Sequence, residues 1–194
     1  MDKWQEILKL LKRSEDSSTT ERERIPLVDQ AEYLMAKFGF ETIVSGNTEE
    51  VRAKSLGIKN PYALKKNVLL NNIGIAFGCV SVIPKNSDTF LMFGYEGDRA
   101  RALMLYNSLV IQMFIGLHQA QAVKPVAMHG KKYNSLWVNN YISDEIARVQ
   151  RNVTQAKRDS KIGELLLRNR HLAVITEVTN RFSNFTEYKA GCSV

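Results

Sequence analysis

Cysteine and long apolar runs are both scarce in this sequence. Its 194 residues contain two cysteines, Cys79 and Cys192, and no CxxC pair, which excludes a zinc knuckle and a disulfide framework and favours a reducing compartment. No stretch approaches the roughly eighteen apolar residues of a membrane span. The N-terminus mixes acids with bases and lacks the apolar block of a secretory signal. We therefore expect a cytoplasmic protein with no membrane partner.

Nucleotide-binding and catalytic motifs are also missing. The segment GYEGD (94–98) links a β-like run to a helical pattern, as many phosphate-binding loops do. It has neither the Lys-Ser/Thr of a P-loop nor a GxGxxG motif. Glu96 and Asp98 would repel phosphate at a helix N-terminus, so we expect Asp98 to cap that helix and the two glycines to supply positive φ. No HExxH or GxSxG motif occurs, and the sequence predicts neither a cofactor nor a metal site.

Apolar spacing predicts a mainly helical α+β fold. Helical periodicity occurs at 2–13, 26–37, 62–76, 98–121, 134–158 and 162–182, although the last segment is β-branched enough to be a strand. Two β-like runs, 79–84 and 89–95, flank a polar turn and predict a hairpin. The expected architecture is an N-terminal helical hairpin followed by a helix–β-hairpin–helix core with additional packed helices.

Composition divides the chain into four segments. We expect a helical hairpin at 1–40, a linker with Gly46-Asn47, Gly57 and Asn60 at 41–60, an α+β core domain at 61–185 and a loose tail at 186–194. Gly39 is expected to end the second helix. On the third helix, the residues expected to face inward are Leu64, Val68, Leu69, Ile73 and Ala76.

Positive charge is concentrated in the second part of the chain. Residues 1–60 contain 10 Lys and Arg against 11 Asp and Glu, whereas residues 61–194 contain 17 against 9. On a helical wheel, Arg148, Arg151 and Arg158 fall together, opposite the apolar stripe of their helix. Lys131, Lys132 and Lys157 lie on the same predicted helix or just before it.

These six basic residues form the best functional signal in the sequence. Arginines accompanied by amides and an aromatic residue suit phosphate contact and base stacking. No base-reading motif accompanies them, so the predicted partner is DNA or RNA bound with little sequence specificity. The alternative is that they form an ordinary solvated helix face. We expect a non-enzymatic binding protein.

Segments along the chain resemble a known family. LKLLKR (8–13) and AEYLMAKFGF (31–40) resemble the N-terminal helical hairpin of a two-part family of unknown function in bacteria, bacteriophages and fungi, which reads Lys-Leu-Leu and then Leu-Met-x-Lys-Tyr-Gly. LLNNIGIAFGCVSV, FLMFGYEGDRARALMLYNSL and YNSLWVNNYISDEI extend the similarity in layout over most of residues 5–150. The chain departs from the family at 23–26, where an acid–alanine repeat is usual. The resemblance implies a small phage-type binding protein and no catalytic residue.

Two other functions fit parts of the pattern. In the first, the hairpin presents Trp4, Ile7 and Leu11 to a protein partner, which makes the chain an interaction module such as an inhibitor or assembly factor. In the second, Glu96 and Asp98 act with a distant histidine in a hydrolase. The three histidines are His118, His129 and His171.

Overall fold

The computed structural model describes residues 3–44, 50–84, 89–123 and 130–182. Within these ranges the chain forms six helices and three strands. They are α1 (Lys3–Ser14), α2 (Glu21–Val44), β1 (Val51–Leu56), α3 (Ala63–Ala76), β2 (Val80–Val82), β3 (Phe90–Tyr95), α4 (Glu96–Ala122), α5 (Lys131–Asp159) and α6 (Glu164–Arg181). The mainly helical α+β class is confirmed, and α6 is a helix rather than a strand. The hairpin turn at 85–88, His129, Cys192 and the tail lie outside the described residues.

Helix α2 is longer than predicted at both ends. Both the backbone N–H and the hydroxyl of Thr20 donate to Glu23 Oε2, at 3.0 and 2.7 Å, and this capping box lets the helix begin at Glu21 rather than at Pro26. Gly39 does not end the helix. A Cβ at Gly39 would lie 2.7 Å from Arg101 Nε, so the missing side chain is what allows this guanidinium to pack against the middle of the helix.

The predicted linker at 41–60 contains a strand. Strand β1 pairs antiparallel with β3, from Val51 opposite Tyr95 to Leu56 opposite Phe90. Strand β2 pairs antiparallel with the other side of β3, which gives the strand order β1-β3-β2. Residues 51–56 therefore belong to the sheet rather than to a spacer between two units.

The central strand β3 separates two apolar clusters. Successive side chains of a strand point to opposite faces, so Met92 packs into the main helical core while Phe93 packs beneath α6 with Val174 and Val178. The main core takes side chains from the first five helices. Its fully buried members include Ile7, Val28, Met35, Leu69, Ile73, Leu105, Leu109, Met113 and Val138.

Helix α3 buries only part of the apolar stripe predicted for it. Leu69 and Ile73 are fully buried, as predicted, whereas Leu64 is 80% exposed and Val68 is 51% exposed. Several of its faces carry apolar side chains, so apolar spacing alone does not choose among them. Packing against α4 and α5 decides which face is buried.

The turn between β3 and α4 also differs from the prediction. The N-cap position is Tyr95, which makes no side-chain capping bond, and Asp98 lies inside the helix with its carboxylate buried. Gly94 lies in β3, where a Cβ would be 2.7 Å from Cys79 Sγ, so close packing rather than positive φ requires the glycine. Among the described glycines, positive φ occurs at Gly78.

Helix α4 is the one helix in the described ranges that is long and apolar enough, by length and composition, to cross a membrane. Half of its most apolar 18-residue stretch is buried inside the fold. Leu105, Leu109 and Met113 of α4 have no exposed surface, because the surrounding helices cover them. The structure is therefore compatible with a soluble protein in which α4 is a core helix.

Candidate functional site

The three arginines predicted to share an exposed face of α5 separate in the structure. Arg151 and Arg158 are exposed, as predicted. Arg148 is only 9% exposed. It lies at the edge of the α5 face that packs against α2, so Arg148 is not on the exposed helix face predicted for it.

Arg148 belongs to a buried ion-pair network between α2 and α5. Its Nη2 donates to Glu145 Oε1, and its Nε lies 3.7 Å from Asp29 Oδ1. Burial raises the pKa of Glu145, and the Arg148 guanidinium opposes that shift. Because a buried charge needs a partner, these side chains hold one another in place across the interface between the two helices.

Glu32 extends this network into the core. Asn152 Nδ2 donates to Glu32 Oε2 at 2.7 Å and to Asp29 Oδ1 at 2.9 Å. Burial raises the pKa of Glu32 to about 8, and the hydrogen bond from Asn152 opposes the shift. Since Glu32 has no exposed surface, the carboxyl group is expected to be mostly protonated at neutral pH.

A cavity of about 570 Å³ lies beside the network, between α2, α4 and α5. Glu145 and Arg148 form part of its wall, and Trp137 stacks on Tyr141 with ring centroids 5.4 Å apart. Arg24 also lines it, but its Nε donates to the Ser14 carbonyl and its Nη2 to the Thr19 carbonyl. The charged groups of this cavity are therefore largely engaged in holding helices together.

A signal for the network is present in the sequence. Val28, Ala31, Glu32 and Met35 follow the spacing i, i+3, i+4 and i+7 of one helical face. An acid inside such a stripe indicates a buried carboxylate that needs a partner. Glu145 occupies the same kind of position on α5. The partners themselves are more than one hundred residues apart, which spacing cannot reveal.

The five lysines and arginines that remain from the predicted surface do not form one cluster. Lys131 and Lys132 are exposed in the first turn of α5, about 28 Å along the helix axis from Arg151 at 1.5 Å per residue. Lys157 Nζ lies 3.2 Å from Glu164 Oε1 and faces α6. Arg151 and Arg158 are instead close to further exposed basic residues, Lys161 and Arg168, along the chain.

The surface predicted for a protein partner is mostly part of the core. Ile7 has no exposed surface and Leu11 is 4% exposed, because α1 packs its apolar side against α2. Trp4 is partly buried, with its ring 5.5 Å from that of Phe38. Ile7 and Leu11 therefore hold the hairpin to its own fold and do not face a partner, whereas Trp4 keeps part of its surface exposed.

One of the two predicted carboxylates lines the same cleft as a histidine. Asp98 and His171 line the same cleft, whereas Glu96 and His118 are exposed elsewhere on α4. Both oxygens of Asp98 accept bonds from arginines, Oδ1 from Arg101 and Oδ2 from Arg170 at 2.8 Å. Within the described residues, no group of three His, Cys, Asp or Glu side chains could hold a metal ion.

Comparison with known proteins adds no relative: no family model, no curated protein and no solved structure matches the chain. The resemblance of its N-terminal hairpin to a two-part family therefore stays a prediction.

Proposed function

We propose that the protein binds nucleic acid through a basic surface on the outward side of α5 and on the α5–α6 connection, with little sequence specificity. The observation that carries this proposal is the excess of exposed positive charge on α5, α6 and their connection. The exposed basic residues there are Lys131, Lys132, Arg151, Arg158, Lys161, Arg168 and Arg181. The exposed acids there are Asp144, Asp159 and Glu164.

Two of these three acids are already engaged. Asp159 accepts hydrogen bonds from Tyr33 and Gln155, and Glu164 accepts one from Lys157. By contrast, Arg151 and Arg158 make no ion pair within the described part of the chain. Their guanidinium groups therefore stay available for an anionic partner.

The surface centres on Arg151, Arg158, Lys161 and Arg168, and we call it the α5–α6 basic surface. Arg151 and Arg158 lie about 10 Å apart along the helix axis, two turns on the same side, which suits contact with successive groups of one phosphate backbone. Phosphate contacts do not read sequence, so DNA and RNA are both candidate partners. The cytoplasm is the compartment we propose, because such partners are found there.

Charge reversal tests the proposal. The double variant Arg151→Glu/Arg158→Glu is compared with wild type for binding to labelled single- and double-stranded DNA and RNA, by fluorescence anisotropy across a salt series. We expect wild-type affinity to fall steeply with salt and the double variant to bind more weakly. Its slope of log affinity against log salt should be smaller by about one for each phosphate group that the variant no longer neutralises.

A matched control separates a specific surface from net charge. Arg13→Glu/Arg22→Glu changes net charge by the same amount on α1 and α2, where both arginines are exposed. We expect this control to bind nucleic acid nearly as well as wild type. Equal losses in both double variants, or no binding by wild type at low salt, would refute the α5–α6 basic surface.

A further inference from the structure

A second cleft, of about 250 Å³, is lined by residues of α2, α3, α4, α5 and α6, and we call it the α6 cleft. Its wall is mainly apolar, with side chains from three of these helices. The apolar members that bear on the argument are Phe40, Ile43, Ile75, Phe77 and Leu167. Arg101, Lys157 and Arg170 add three positive charges to the same wall. An apolar surface next to clustered cations is complementary to a molecule that joins an anionic group to an apolar chain.

The cations of the α6 cleft are not balanced by acids. Asp98 is the one carboxylate among the described side chains that line it, and it is shared between Arg101 and Arg170. Lys157 is paired with Glu164, whose side chain is 88% exposed. An ion pair so open to water is weak, so Lys157 can exchange it for another anion at little cost.

A buried hydrogen-bond donor accompanies this excess charge. Arg101 is 5% exposed. Its Nε is buried and has no hydrogen-bond partner within the described chain. The Arg170 guanidinium is held 3.6 Å from the centre of the Tyr95 ring. A buried cluster with more positive charge than acceptors is stabilised by an added anion.

We propose that the α6 cleft binds a single-chain amphipathic anion, an alkyl carboxylate, with its head group near Arg170 and Lys157 and its chain along the apolar wall. The placement follows from burial, since Phe77 is buried while the Lys157 and Arg170 side chains reach solvent. A neutral apolar ligand would leave the cations unpaired, and a polar anion such as a sugar phosphate would leave the apolar wall uncovered.

Titration calorimetry on the full chain tests this with hexanoate, octanoate and decanoate, each below its micelle concentration. We expect one site per chain and an affinity that rises about fourfold for each added methylene group until the cleft is filled. Decylammonium has the same chain and the opposite charge, and decanol has no charge. Both should bind at least about tenfold more weakly than decanoate, because neither supplies an anion to Lys157 and Arg170.

Two pairs of variants locate the site. Leu167 lines the cleft whereas Leu166 is exposed beside it, so Leu167→Gln should weaken decanoate binding at least about tenfold and Leu166→Gln by less than about twofold. Lys157→Gln should weaken binding by removing one cation, whereas Lys54→Gln on the exposed side of β1 should not. Lys157 is partly exposed, so this variant is expected to fold, which circular dichroism will check.

An acidic lipid in a bilayer also joins an anionic head group to apolar chains, and flotation with phosphatidylglycerol vesicles distinguishes it from a free alkyl carboxylate. Vesicle binding that Leu167→Gln abolishes and Leu166→Gln preserves would assign the cleft to a lipid anion. The proposal is overturned if decanoate shows no saturable binding, if decylammonium binds equally well, or if the control variants lose affinity as strongly as Leu167→Gln and Lys157→Gln.

Discussion

Two arginines three positions apart on α5 have opposite surroundings. Arg148 is buried against α2 with Glu145 and Asp29, whereas Arg151 is exposed and has no ion-pair partner in the described part of the chain. Three residues along an α-helix change direction by only about 60° around its axis. At the edge of a helix–helix interface, that small rotation is enough to bury one arginine in an ion pair and to leave the other exposed to a binding partner. Counting basic residues along a helix therefore overestimates the charge that a partner can reach.

The largest expected difference between these arginines is in stability. Arg148→Gln should lower the free energy of unfolding by about 3–5 kcal/mol, because it leaves the Glu145 carboxylate buried without its partner. Arg151→Gln should change it by less than about 0.5 kcal/mol, because that side chain is in solvent. Urea denaturation at pH 7 measures both variants. Similar losses in the two would mean that Arg148 is not buried in an ion pair.

Glu32, in the buried network around Arg148, should make the stability of the fold depend on pH. The folded-state pKa of Glu32 is raised from 4.5 to about 8, so the folded chain keeps a proton that the unfolded chain releases. The stability contribution of Glu32 is then greatest below pH 4.5 and is lost as pH rises towards 8. The loss approaches about 1.4 kcal/mol for each pH unit within that window.

Glu32→Gln isolates this contribution, because the amide does not titrate. We expect the variant to gain stability relative to wild type as pH rises from 5 to 8, measured by urea denaturation at each pH. Asp144→Asn is the matched control, since Asp144 is exposed on α5. A constant difference between Glu32→Gln and wild type across this range would contradict a protonated Glu32.

A third arginine extends the comparison to a smaller effect. Arg101 is buried like Arg148, but it packs against the backbone of Gly39 rather than against another helix's carboxylates. Gly39→Ala should lower the free energy of unfolding by about 1–3 kcal/mol, since the new methyl group would displace a guanidinium that is bonded to Asp98. Gly57→Ala, where a Cβ would have no neighbour within 4 Å, should be nearly neutral. Thermal and urea denaturation check both, and equal behaviour would contradict the close contact.

The smallest expected stability effect belongs to the exposed arginines. Arg151→Glu/Arg158→Glu should change the free energy of unfolding by less than about 1 kcal/mol in total, since surface substitutions are usually within about 0.5 kcal/mol each. The same variant should lose nucleic-acid affinity if the α5–α6 basic surface is correct. If this double variant unfolded, Arg151 and Arg158 would have to make interior contacts that the fold needs.

Much of the fold can be predicted because local patterns carry it. Helices α4 and α5 can be recognised from the spacing of their apolar residues. Strands β2 and β3 can be recognised from two short β-like runs. Strand β1 escapes prediction because its alternation of apolar and polar residues is short and is broken at Ser55. Apolar spacing also misplaces the start of α2, although its capping box, Thr20 with Glu23, is visible in the sequence.

The candidate sites are less predictable because they depend on distant neighbours. A helical wheel places Arg148 on an exposed face, since nothing near it in sequence indicates that Asp29 lies opposite. The prediction of a partner for Ile7 and Leu11 fails for the corresponding reason: an amphipathic helix shows that it covers something, and does not show what. The α6 cleft joins five helices that no sequence motif links.

The contact between α2 and α5 also constrains how the protein is made. Asn152 donates to Asp29 and Glu32 across 123 and 120 residues of chain. A ribosome completes α2 long before α5, so Glu32 meets water as an ionised side chain in the middle of the nascent helix's apolar stripe. A charge within an apolar segment opposes association with neighbouring chains. We therefore expect Glu32 to oppose aggregation of the unfinished hairpin and to take up a proton when α5 covers it.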